Sequence, residues 1–455
     1  MGSENATTPL AWNRVHRLSQ RVVEAPREVR DLVTLSDAHG TLLPRGYGHS
    51  YGDSCLNGGN TLLDMTNQNR VLSFDTESGL IKCESGVTIG MIQRLAAPYG
   101  WRLAVTPSTR HVSVGGAVAH DVHGRNHPAA GSFGQYVREI ELLRTDGSRR
   151  LCSPTDNKAL FRATVGGMGL TGLIASVEIQ LRRIESSLID AETIAFSSLS
   201  RFIELVASSI GSHEYATAWI DLANKRTFRG ILDCGNEASP TPGRAAATPG
   251  PSNSGLPILN VPFECPQWLV NEMSVRAFNK AYLFRSKRQR PGQIGYEKFF
   301  YQLDAVSRWN RLLGRNGFYQ YHFVIPSRNV PVGLPLLVDM IHRSGNIPFL
   351  AILKRYGTNT FPGMMSFPTE GLGGAIDFVN KGQQTLRLFH ELDKAMLELG
   401  GKVYLAKDSA LTPEVFKVMY PRWREFSELV DPHFSSSLWR RVTGDTAKST
   451  SPRRL

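Results

Sequence analysis

Residues 113–134, SVGGAVAHDVHGRNHPAAGSFG, hold five glycines and three histidines among small side chains. With so few large apolar residues, the stretch predicts a loop and neither a core strand nor a helix. Glycine lets backbone approach a bulky ligand and lets amides converge on an anion. Residues 44–53, PRGYGHSYGD, have the same character, and residues 165–179, VGGMGLTGLIASVEI, form a third such stretch that runs into a strand pattern. No GK[ST] follows the first loop, so it is not a Walker loop. No strand-to-helix crossover frames it, so it is not a dinucleotide GxGxxG either. Each loop alone is weak, and the three together predict one large phosphate-bearing cofactor. A diphosphate needs several backbone donors, which residues 45–53 and 113–116 can supply. Gly115, Gly116 and Ala117 are small enough to admit a flat ring.

The elements that position these loops follow from the rest of the chain. Its 455 residues exceed one compact core, so two domains are expected. Apolar content of 41% and charged content of 20% describe a soluble globular protein. A net charge of +12 suits acidic partners, but scattered basic residues with no binding module argue against nucleic acid. Cys55, Cys83, Cys152, Cys234 and Cys265 show neither CxxC nor Cys/His ligand spacing, so free thiols in a reducing compartment and no metal are expected. No signal-peptide pattern stands at the start, and no apolar run nears the ~18 residues of a spanning helix. A cytoplasmic protein, at most peripheral at the inner membrane, is the expectation.

Residues 21–23, 61–64, 71–74 and 80–84 read as strands. Residues 26–38 and 88–99 read as helices, the second capped by Thr88. A hairpin is expected around Asp146-Gly147, and a short helix over 157–164. Strands and helices alternate without the spacing of a doubly wound sheet, which predicts an α+β fold. Residues 236–256, rich in Pro, Gly, Ala and Ser, predict a mobile loop, and 1–10 and the end after Val442 predict tails. Residues 318–325 and 349–354 read as strands, 385–399 as an amphipathic helix and 413–419 as a short one. The basic run 285–290 reads as a solvated loop.

Residues 44–53, the strands before the Thr88 helix, SVGGAVAHDVHG and GGMGLTGLI together resemble the PCMH-type FAD-binding domain of the vanillyl-alcohol oxidase family. HGRNHPAAGSFG (123–134), GFYQYHFVIP (317–326), VYLAKDS (403–409), FKVMYPR (416–422) and VDPHFSSSLWRR (430–441) resemble its decaprenylphosphoryl-β-D-ribose 2-oxidase branch. The resemblance covers most of the chain outside 236–256 and the tails. It implies an FAD-binding domain over 10–182, a second α+β substrate (cap) domain over 183–401, and a segment 402–442 that returns to the first. FAD is then held by Arg45, Gly46, Tyr47, Gly48, His49, Ser50, Tyr51, Gly52, Asp53, Ser113, Val114, Gly115 and Gly116. Ser108, His120, Asp121, His123, Ile174 and Tyr404 line it by similarity.

Oxidising a secondary alcohol requires a hydride acceptor, a group for the hydroxyl proton and positive charge near the acceptor. The resemblance gives Lys407 the charge or the reacting hydroxyl, and gives His123 the positioning of flavin or substrate. Tyr51, Gln320, His322 and Lys354 match positions that face a sugar phosphate. Gln320 and His322, two apart on a strand, share a face, which leaves Tyr319 and Tyr321 to the core. Tyr301, in Phe300-Tyr301, falls where the family has a substrate-side tyrosine, and Ala375 stands where it has a cysteine. His49-Ser50 departs toward members that bind flavin covalently, so His49 either bonds FAD or hydrogen-bonds it. The implied reaction is oxidation of the 2-hydroxyl of a polyprenylphosphoryl-β-D-ribose to the 2-keto sugar. A separate NAD(P)-dependent keto-reductase would complete epimerisation to the arabinose donor of a bacterial cell envelope. The alternatives are a soluble sugar, alditol or aldonolactone oxidase producing hydrogen peroxide, and a non-catalytic flavin-carrying subunit.

Overall fold

The computed structural model describes residues 9–209, 211–239, 259–359 and 361–445. The tail readings for 1–8 and 446–455, and most of the mobile-loop reading, fall outside the described residues. Strands and helices are interspersed, and the fold is α+β. Three parallel strands come first, with Thr61–Asp64 between Arg21–Glu24 and Leu42–Arg45. A five-stranded antiparallel sheet follows, in the order Val71–Asp75, Leu80–Glu84, Leu173–Gln180, Val137–Leu143, Arg149–Cys152. The largest sheet has eight antiparallel strands. Its order is Gly292–Gly295, Leu188–Phe196, Gly230–Glu237, Tyr215–Ile220, Pro348–Tyr356, Gly371–Val379, Phe318–Pro326, Lys402–Val403.

Period-two alternation gives the large sheet two faces. Tyr319, Tyr321, Phe323 and Ile325 pack with Leu353, Ile376 and Phe378 against helices Val330–Arg343 and Gln383–Glu398, through Leu337, Leu388 and Phe389. Each such side chain, fully buried, contributes roughly 1.5–3 kcal/mol. The other face carries the residues between them. Trp219 pairs with Ile352, Ile352 with Ala375, and Ala375 with His322, so these four form one row across the sheet.

Several expectations need correction. The first helix is Val29–Ala38 and starts three residues late, because the Ala25 amide bonds Asp64 and Gln68 Nε2 holds the Pro26 carbonyl. The central stretch is not all loop: Val114–Ala119 is a helix capped by Ser113, whose Oγ accepts from Gly116 N at 3.3 Å. Val114, Ala117 and Val118 are buried there, so packing overrides the low helix propensity of glycine. Residues 236 and 237 belong to the strand Gly230–Glu237 and not to a loop. The basic run is helical as far as Ser286. Helix Val330–Arg343 was hidden by Pro331, Gly333 and Pro335; its core face is Leu334, Leu337 and Ile341.

Candidate active site

All three glycine loops meet at one cavity of about 1140 Å³. The first two touch where Gly46 lies on Ser113: a Cβ at 46 would overlap the Ser113 hydroxyl. The third is tied to the helix of the second by Gly166 N to Val118 O (2.9 Å) and Met168 N to Ala119 O (2.7 Å). The loop carrying Lys407 closes on the first: Tyr51 N donates to Ala406 O at 3.0 Å, and a side chain at Gly52 would overlap the Asp408 carbonyl. Arg441, from helix Ser437–Thr443, bonds Asp53 at 2.7 Å and Asp408 at 2.9 Å and locks both loops.

Opposite the loops lies the polar face of the large sheet. Gln320 Nε2 donates to Asp377 Oδ1 at 2.6 Å. The Tyr356 hydroxyl lies 2.8 Å from His123 Nε2 and 3.3 Å from His322 Nε2, so one phenol bridges an imidazole from each side of the cavity. Lys407 Nζ sits 3.3 Å from the centroid of the Tyr51 ring. Burial dominates the electrostatics. It pushes Lys407 and Lys354 each down to about 7 and Asp377 up to about 7. It holds His123 and His322 well below the usual imidazole range, takes His120 and His127 to about 4 and takes His49 to about 3. The site therefore presents neutral imidazoles beside two amines poised near neutrality. Among the described residues no group of three His, Cys, Asp or Glu could hold a metal ion.

Of the residues singled out from the sequence, Arg45, Gly46, Tyr47, Gly48, His49, Ser50, Tyr51, Ser108, Ser113, Gly115, Gly116, His120, His123, Ile174, Gln320, His322, Lys354, Tyr404 and Lys407 line this cavity, as does Ala375. Six do not. Val114 and Ala117 are in the core of their helix, so Ala117 leaves the close approach to Gly115 and Gly116. Gly52 backs onto Asp408, and Asp53 is taken by Arg441. Asp121 accepts from Ser132 Oγ and Gly134 N and so staples the following turn. Tyr301 is buried with its hydroxyl 2.8 Å from Thr106 Oγ1, and its neighbour Phe300 reaches the cavity instead. Trp12, stacked on His49 at 4.8 Å, Arg125, Thr217 and Asp377 also line the cavity and were not foreseen. Arg125 lay inside a motif already noted; the others gave no local signal.

Residues 21–153 match the model of an FAD-binding domain. The chain is 35% identical over 412 residues to decaprenylphosphoryl-β-D-ribose oxidase of Mycolicibacterium smegmatis, covering 88% of this chain and 89% of that one. The chain belongs to the decaprenylphosphoryl-β-D-ribose oxidase family. It is thus an FAD-dependent oxidoreductase acting on CH–OH groups. A Streptomyces coelicolor protein known only as lying in the mprA 5′ region is 32% identical over 376 residues, 78% of this chain and all of that one. L-Gulonolactone oxidase of Mus musculus is 27% identical over 176 residues, 37% of this chain and 39% of its own.

The site of this flavoenzyme fits FAD on its own terms. The cavity exceeds the ~300–1,000 Å³ typical of a small-ligand pocket, leaving room for a dinucleotide and a substrate. The amides of Tyr47, Gly48 and His49 donate to no acceptor among the described residues, as an anion cradle requires. Arg45 Nε and Ser85 Oγ are buried without partners on the same wall, and such groups are costly unless a ligand meets them.

Proposed function

We propose that the enzyme oxidises the 2-hydroxyl of a polyprenylphosphoryl-β-D-ribose to the 2-keto sugar. The observation that carries this reading is the wall facing the flavin loops. Lys407, Gln320–Asp377 and His322 stand together there, in a chain that matches nearly the full length of the ribosyl-lipid oxidase. Bound FAD supplies the hydride acceptor. Lys407 does the rest of the chemistry at Nζ: near pKa 7 it can hold a hydroxyl oxygen as ammonium or take its proton as amine. Tyr51 orients that amine through its ring face. Gln320 and His322 orient the sugar, and the Tyr356 bridge keeps His123 and His322 in fixed rotamers. The keto product then needs a separate NAD(P)-dependent reductase to complete inversion.

The test is anaerobic flavin bleaching against ribosyl phospholipid, free pentoses, alditols and lactones. Fast bleaching by the ribosyl phospholipid alone is expected. One observation favours a second reading, an oxygen-using oxidase of soluble sugars or lactones. His49 lines the cavity as a neutral imidazole, the form able to carry flavin covalently. Covalent attachment would leave a fluorescent protein band after acid denaturation, and a colourless band excludes it. Bleaching by free alditols with rapid peroxide release would favour the second reading over the first.

A further inference from the structure

His322, Tyr356 and His123 are buried and form a continuous hydrogen-bonded chain across the cavity wall. The Tyr356 hydroxyl lies 2.8 Å from His123 Nε2 and 3.3 Å from His322 Nε2. Burial, with the charges of Lys354 and Lys407 nearby, holds both imidazoles neutral, and burial keeps the phenol protonated. Each group therefore has one exchangeable proton. The phenol proton can occupy only one of its two contacts, so an imidazole N–H must bridge the other. Two imidazole donors would leave the phenol proton buried without an acceptor, and two bare nitrogens would leave one contact without a proton. The two rings are thus in opposite tautomers. An O–H donor makes the shorter bond, which places the phenol proton on the His123 side. His123 then carries its own proton on Nδ1. His322 carries its proton on Nε2 and has a bare Nδ1.

The surroundings isolate this chain. Gly373 leaves the space that the Tyr356 ring fills: a Cβ there would overlap the ring. The Phe367 ring stands 5.4 Å from His322 and 5.7 Å from His123, and the Tyr404 ring 5.2 Å and 5.1 Å. Neither competes for the protons, because the Tyr404 hydroxyl is committed to the His120 carbonyl at 2.9 Å and Phe367 has no polar side-chain atom. His127 lies 4.9 Å from the Tyr356 ring, but its Nδ1 accepts from Gly357 N at 3.1 Å. Only the two ends of the chain are open. Nδ1 of His123 and Nδ1 of His322 are buried with no partner among the described residues, and both rings line the cavity. Such nitrogens are costly unless a ligand meets them.

We propose that His322, Tyr356 and His123 form a directional proton relay: His322 Nδ1 receives the proton of the alcohol being oxidised, and Tyr356 is the positioning residue that sets both tautomers. As the C–H hydride departs to the flavin, the O–H electron pair becomes the second C–O bond. The hydroxyl proton passes to His322 Nδ1, and the His322 Nε2 proton passes to the Tyr356 oxygen. The Tyr356 proton passes to His123 Nε2, and the His123 Nδ1 proton leaves to solvent water. Each group gives up one proton and gains one, so all end neutral. The burial that disfavours an imidazolium therefore does not oppose the transfer. Lys407 is left to hold the reacting oxygen as an ammonium. The same shift run backwards through water resets the chain once product has left. The inference rests on the proposed function for the identity of the alcohol but not for the tautomers.

The first measurement needs no substrate. NMR of the FAD-loaded protein with isotope-labelled histidine rings, assigned by signals lost in His123→Asn and His322→Gln, should show His123 protonated on Nδ1 and His322 on Nε2. Tyr356→Phe should abolish that opposition. One tautomer for both rings in the parent, or opposite tautomers kept in Tyr356→Phe, overturns the assignment. The second measurement is anaerobic flavin bleaching by ribosyl phospholipid in mixtures of light and heavy water. The parent rate should fall along a curve, because several protons move together. Tyr356→Phe should bleach about 10²-fold more slowly and along a straight line, with substrate affinity within about twofold of the parent. His322→Gln keeps a hydrogen bond to the phenol but cannot pass a proton, so it should show the same loss and carries the test if Tyr356→Phe releases FAD. Bleaching at the parent rate in these variants, or a straight line in the parent, overturns the relay. Bleaching by a free alditol and not by ribosyl phospholipid would sink the proposed substrate, and the relay would then stand or fall on the same comparison made with that alditol.

Discussion

Lys407 shows how a residue acquires a role from its surroundings. On the surface its ammonium would be fully hydrated; here it lies over Tyr51 in a buried pocket and titrates near neutrality. Lys407→Met should keep FAD and lower substrate-driven bleaching about 10²-fold or more; bleaching at the parent rate removes it from the mechanism. Asp393 is perturbed for a different reason. It accepts from Tyr321 OH at 2.9 Å inside helix Gln383–Glu398, 2% exposed, and burial with the nearby Asp408 charge raises it to about 7. The folded state therefore holds a proton that the unfolded state has lost above pH ~4. Stability from this group is complete below pH ~4 and is lost as pH rises through about 7. Asp393→Asn, which keeps an acceptor for Tyr321, should match the parent near pH 4. At pH 8 it should be more stable, by at most roughly 4 kcal/mol. Denaturant titrations at both pH values check this, and an equal or lower midpoint at pH 8 contradicts it.

At the scale of elements, the assembly depends on how the C-terminal helix is pinned. Helix Ser437–Thr443 sends Arg441 between Asp53, in the first glycine loop, and Asp408, beside Lys407. Arg441→Met leaves two buried carboxylates facing each other without their cation. The expected cost is about 3–5 kcal/mol, with weaker FAD retention, read from thermal melts and from flavin lost on gel filtration. A melting temperature within a degree of the parent would mean that the two loops hold without this clamp. The strand Phe318–Pro326 shows the complementary principle. Its alternation sends aromatic residues to the helices and Gln320 and His322 to the cavity, so one element is wall and site at once.

For the whole molecule, the proposed lipid substrate raises the question of where its tail is met. Among the described residues no helix is long and apolar enough to cross a membrane. Phe263, Trp268, Met273, Phe278 and Phe284 are exposed on and beside helix Glu272–Ser286, and the basic run 285–290 begins in its last turn. Aromatic side chains beside basic ones suit an anionic interface. Replacing Arg285, Lys287, Arg288 and Arg290 with Gln should reduce sedimentation with phosphatidylglycerol vesicles several-fold and flatten its salt dependence, at about 1 kcal/mol per charge. Parent-level sedimentation of the variant would remove this surface from consideration.

Much of the flavin side was legible in the chain because its signals are local. Glycine runs, a Thr88 cap that accepts from Met91 N, and strands bounded by turns depend on neighbours a few residues apart. The α+β class and a large phosphate-bearing cofactor held by glycine loops could be read that way, whereas FAD itself and the individual lining residues followed from the family resemblance. Other features had no local signature. Tyr356 bridges His123 and His322, and Asp53, Asp121 and Tyr301 turn away from the cavity, through pairings made only in the folded chain. The residue types dictated which chemistry the chain could support. Only the packing of one sheet against three loops decided which side chains lose their water, and with it their charge and their role.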